Sequence, residues 1–151
     1  MDTIYTIKMT LGSVMRDLVQ LGIAYLLALP IGWNREREAH SAGIRTFPIV
    51  AMASCGLAIV AKSVPGTSPD AFSRVLQGLV TGIGFIGGGA ILKDGGGVRG
   101  TATAASVWNI GIVGAAAGLG AYDIAIALSL VNYLTLKLLL PLKRELDSGE
   151  K

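Results

Sequence analysis

The sequence predicts an all-α fold: a polytopic transmembrane helix bundle of about five spans, with the N-terminus outside and the C-terminus inside. Three observations lead there. Of 151 residues, 52% are hydrophobic and only 15% charged, where ordinary soluble domains carry about a quarter charged. The mean hydropathy is +0.60. The charges fall in short clusters that leave five long stretches almost free of them, and 21 glycines stand against 6% aromatic residues. That composition suits helices that approach one another through small residues in lipid.

The elements follow in order. In residues 1–17, Ile4, Ile7, Leu11 and Val14 recur at helical spacing, with Thr3, Thr6, Thr10, Ser13 and Asp17 on the other side. This segment reads as an interfacial helix leading into the first span. It is not a cleaved signal, because the first apolar run is followed at once by Asn34-Arg35-Glu36-Arg37-Glu38 rather than a small-residue cleavage site. The spans are expected at about 18–33, 47–61, 75–92, 101–122 and 124–142. The first two are short against the roughly 20 residues that cross a hydrocarbon core, so four spans is the competing count. Thr46 before Pro48 offers one helix start. Ser68-Pro69-Asp70 offers a better one: N-cap hydroxyl, first-turn proline, acid at the positive dipole end. Residues 93–100 read as a loop, and 143–151 as a short cytoplasmic tail. With the N-terminus outside, Arg35, Arg37, Arg45, Lys93, Arg99, Lys143, Arg144 and Lys151 are cytoplasmic, while Lys8, Arg16, Lys62 and Arg74 are external. Eight against four sets the orientation.

Several chemistries are excluded. Net charge is only +3 and dispersed, so no nucleic-acid partner is expected. A single cysteine, Cys55, and a single histidine, His40, rule out an intrachain disulfide and a histidine-pair metal site. Gly82-Ile83-Gly84-Phe85-Ile86-Gly87 matches a dinucleotide fingerprint in letters alone. It lies inside an apolar span, with no strand before it and no acid between Asp94 and Asp123. Lys93 lacks the preceding glycine and following hydroxyl residue of a phosphate-binding loop. No enzyme and no cofactor is expected.

The third span carries the most information. Asp70, Arg74, Gln77, Thr81, Gly84 and Gly88 are spaced four, three, four, three and four apart, which aligns them on one helix stripe. Polar groups at membrane depth face protein or water. The stripe therefore reads either as the wall of an ion path, with Asp70 the one candidate metal ligand, or as a helix seam with a charged cap. Gly78, Gly82, Gly84, Gly87 and Gly88, with Gly114 and Gly118 in the fourth span, supply small-residue packing faces. Trp108 is expected to pack against them. Asn132 is expected to bond across helices, and Asn109 to belong to the packing faces. Arg35, Glu36, Arg45 and Arg99 gather as a cytoplasmic mouth, or dock anionic headgroups or phosphate. The bilayer, a second copy of the chain as a dimer, and another membrane protein are the expected partners.

Four ordered stretches resemble the membrane domain of the MgtC/SapB family. They are Gly32-Trp33-Asn34-Arg35-Glu36 with Ala42-Gly43-Ile44-Arg45-Thr46; Asp70, Arg74 and Gln77; Gly82-Ile83-Gly84-Phe85-Ile86-Gly87-Gly88-Gly89; and Val98-Arg99-Gly100 with Thr103-Ala104-Ala105-Ser106 and Trp108. The resemblance runs from about 29 to 142. It implies a bacterial inner-membrane protein of magnesium or other divalent-cation homeostasis and stress adaptation, with Mg²⁺ as ligand or substrate. Many members carry an acid where this chain has Asn34, and many carry a soluble C-terminal domain beyond the region matched here. The sequence leaves two functions open: movement of a small ion along the third-span stripe, and non-transporting regulation through glycine-rich helix faces that bind another membrane protein.

Overall fold

The computed structural model describes residues 11–38, 42–64, 66, 68–94 and 97–149. It contains five helices, α1 (Leu11–Glu38), α2 (Thr46–Ser63), α3 (Pro69–Gly89), α4 (Thr101–Leu119) and α5 (Tyr122–Gly149), with a short antiparallel pair, β1 (Leu92–Asp94) and β2 (Gly97–Arg99), between α3 and α4. Residues 1–10, most of the expected interfacial segment, lie outside the described residues. Those of its residues that are described are the opening turns of α1, which runs unbroken past residue 18 and through Pro30. This lengthens the first span beyond its apolar run. α5 likewise continues through the expected tail to Gly149.

Among the described residues, four helices, α1, α2, α4 and the part of α5 from Tyr122 to Pro141, are long and apolar enough to cross a membrane. α3 is not among them, because Asp70, Arg74, Gln77 and its glycines dilute its hydropathy. The geometry still takes α3 through the full depth of the bundle. Gly114 of α4 sits against the Ala51 carbonyl of α2, and Gly118 against the Cys55 carbonyl. Both numbers rise together, so α2 and α4 lie side by side and parallel. The chain leaving α2 must then return to the opposite end before α4 begins. α3 makes that return, and its 21 residues rise about 31 Å.

α4 is the central helix and touches the other four. Its sequence is apolar nearly all round and most of it is buried, Thr103, Ser106, Val107, Ile110 and the run Val113–Gly118 among it, as the central helix of a bundle requires. Ala24, Ala28, Ile31, Phe47, Ala51, Cys55, Val107, Ile110, Val113 and Ala117 form the core. α1 and α5 bury one face each and turn residues such as Leu26, Val131 and Leu138 outward.

Local chemistry explains the helix ends. The Ser68 hydroxyl accepts the Ala71 N–H at 3.1 Å, with Pro69 in the first turn. Thr46 is not a cap: α2 begins at Thr46, behind Arg45, whose side chain makes no capping bond. The loop before it is held instead by Glu36, whose Oε2 accepts the Ile44 N–H at 3.1 Å. α4 ends at Gly120, in the left-handed region at φ 82°, and its N–H returns to Ala117 O. The expected loop at 93–100 is largely the β1–β2 ladder, with Leu92 opposite Arg99 and Lys93 opposite Val98.

Candidate functional site

The α3 stripe lies on the outside of the chain. Asp70, Arg74, Gln77, Thr81, Gly84 and Gly88 are all exposed. The buried side of α3 is Ile83 and Gly87. Ile83 inserts where Gly111 of α4 leaves space, and a side chain at Gly87 would stand 3.1 Å from the Ala104 carbonyl. Thr81 spends its hydroxyl on the Gln77 carbonyl of its own helix, at 2.8 Å. Among the described residues no three of His, Cys, Asp and Glu come together as a metal-binding group.

The glycines divide into two sets. Gly114 and Gly118 are filled by the α2 backbone, so their partner is α2 rather than α3. Gly78, Gly82, Gly84 and Gly88 meet nothing within 4 Å. Phe85 is 86% exposed on the same helix. A groove of about 470 Å³ opens between α2 and α3, lined by Ala53, Ser54, Leu57, Gly78, Gly82 and Ile86 among others. Trp108 does not fill it and is 46% exposed.

The expected mouth residues share one end of the bundle but not one environment. Glu36 holds the α1–α2 loop. Arg45 and Arg99 are exposed. Arg37 lies over the Trp33 ring, 5.3 Å from its centre. Arg35 is only 6% exposed, and its Nη2 and Nε donate to the neighbouring Asn34 Oδ1 at 2.7 and 3.3 Å.

A polar seam through the interior, between α1, α4 and α5, is what sequence reasoning largely missed. At one end Gln20 Nε2 donates to the Ala117 and Gly118 carbonyls, each at 3.1 Å, tying α1 to the C-terminal end of α4. Midway, Ser129 donates to Leu27 O at 2.7 Å and Asn109 Nδ2 to Leu128 O at 3.3 Å. Further on, Ser106 Oγ donates to Asn132 Oδ1 at 3.1 Å. Gln20 had a legible signal, because it recurs with Ala24, Ala28 and Ile31 on one stripe of α1. Beside Gln20 a second, polar hollow of about 450 Å³ is lined by Arg16, Asp17, Lys62, Ser63 and Tyr122 among others. There Arg16 Nε stands 3.6 Å from Asp17 Oδ1. These bonds lock helices together at membrane depth, where unpaired polar groups are costly.

A five-helix bundle with lipid-suited outer faces, an interior polar seam and one open glycine-lined helix face defines a polytopic membrane protein. The chain belongs to the MgtC family, whose model matches residues 21–145. It is 38% identical over 114 residues to the protein MgtC of Salmonella typhimurium, covering 76% of this chain and 48% of that one. It is 36% identical over 129 residues to the protein SrpB of Synechococcus elongatus, covering 78% and 71%. It is 39% identical over 97 residues to the protein MgtC of Brucella abortus, covering 64% and 40%. The chain thus spans about half the length of the Salmonella relative. No solved structure matches it.

Proposed function

We propose that the chain is a bacterial inner-membrane regulator of magnesium and related divalent-cation homeostasis. It acts by docking another membrane protein on the open face of α3, with the N-terminus outside and the C-terminus inside. The family supports the link to magnesium. The observation that carries the mode of action is the outward stripe of α3. A helix that traverses the bundle carries Gln77 and uncovered glycine backbone on its open side. Lipid cannot satisfy the Gln77 amide, and a partner helix can; the bare glycines let such a helix approach closely. Asp70 and Arg74 at the start of α3 give that contact a charged end.

Ion movement along the same stripe is the second reading. It needs another chain to close the path, since all six stripe residues face outward in one chain. Two measurements separate the readings. A photo-crosslinking residue at Phe85 should capture a membrane protein in low-magnesium cells, and Gly84→Leu with Gly88→Leu should abolish the capture and the growth phenotype. Purified protein in liposomes should pass no Mg²⁺. Mg²⁺ flux that disappears in Asp70→Asn would overturn regulation in favour of transport.

A further inference from the structure

The geometry points to an oxyanion site inside the bundle end where α1 finishes and α4 begins, built for a phosphate group, free or in a lipid headgroup. Gln20 bonds Gly118 O across the antiparallel α1–α4 pair. Arg35 lies fifteen residues beyond Gln20, and Thr103 fifteen residues before Gly118. Arg35 and Thr103 therefore sit at the same depth. Both are on the buried faces of their helices, at 6% and 1% exposure. Asn132 of α5 joins them within about one helical turn, because it bonds Ser106, three residues along α4 from Thr103.

Unpaired hydrogen-bond donors gather at this depth. Among the described residues, Thr103 Oγ1 and Asn132 Nδ2 are buried with no partner. Among the described residues, the Arg35 guanidinium, which carries five N–H donors, has the neutral oxygen of Asn34 as its hydrogen-bond acceptor. The carboxylate that bears on its charge is Glu38, an exposed residue one turn on. α4 adds its own donors. Its N-cap is Gly100, with no side chain to cap and no acid in the first turn. The Ala104 N–H is bonded to Gly100 O, which leaves the amides of Thr101, Ala102 and Thr103 without intrahelical acceptors. A helix N-terminus of this kind favours a negative charge. A buried arginine fork and a buried unpaired hydroxyl at the same depth supply the specific contacts that a helix end alone lacks. Access is from the bundle end, where Thr101 and Ala102 are exposed. Arg45 and Arg99, exposed at that end, add attraction for anions.

The test uses the purified full chain in a detergent without phosphate. Sodium phosphate should raise the melting temperature saturably by several degrees over sodium chloride at equal ionic strength. Thr103→Val, which keeps the shape, should raise the phosphate concentration for half effect about tenfold. Arg35→Gln should abolish the response, while both variants still melt cooperatively in chloride. If the source is a headgroup, free phosphate has no effect. The chain then retains phosphatidylglycerol through native mass spectrometry and releases a phosphate-free glycolipid, and both substitutions weaken the retention. The proposal is overturned if folded protein responds to neither probe, or if the response survives both substitutions unchanged.

Discussion

Single residues decide which faces of this bundle are closed. A Cβ at Gly114 would run into the Ala51 carbonyl, whereas one at Gly82 would meet nothing within 4 Å. Gly114→Ala should therefore push α2 from α4 and lower stability in detergent by about 1–3 kcal/mol. Gly82→Ala should be neutral or stabilising by up to about 1 kcal/mol, since it only improves helix propensity. Thermal melting of the two variants side by side checks both signs. Gln20→Leu removes two bonds to the end of α4 and should cost about 1–2 kcal/mol by the same measurement. The glycine letters are identical in sequence. Spacing identified both sets as packing surfaces, but only neighbours distinguish the filled set from the open one.

At the scale of elements, the helices were legible and some of their ends were not. Ser68-Pro69-Asp70 works as a start because hydroxyl, ring and carboxylate each suit a first turn locally, and Ser68→Ala should destabilise by about 1 kcal/mol, read as a lower melting temperature. Thr46 carried a similar signal, yet Glu36, ten residues earlier, holds that loop through Ile44. A contact across a loop leaves no local pattern to read. The β1–β2 ladder did have one: strands separated by the two residues Gly95-Gly96, a hairpin spacing. Strands of three residues are too short for alternation to declare itself. α3 is the case where hydropathy and position part. Its composition leaves it out of the helices apolar enough to span, while the parallel packing of α2 and α4 requires it to traverse the bundle.

For the whole molecule, that requirement is testable. In a Cys55→Ala background, Lys62→Cys at the end of α2 should label only from outside, and Val98→Cys before α4 only from inside, with a membrane-impermeant thiol reagent. Labelling of both from one side would show that α3 does not cross; exchanged sides would reverse the orientation. The membrane character, the helical bundle and the family were determined by the sequence itself. Transfer of apolar side chains into lipid, helical spacing and short motifs are properties of neighbouring residues. The placement of the polar groups was decided by tertiary structure. The conspicuous stripe of α3 faces outward, while Gln20, Ser106, Ser129, Asn132 and Arg35, scattered over three helices, share the interior. Helical spacing tells which residues of one helix lie on a common face, but the direction of that face is set by which neighbour packs on the other side, and here Ile83 seated at Gly111 turned α3's stripe outward.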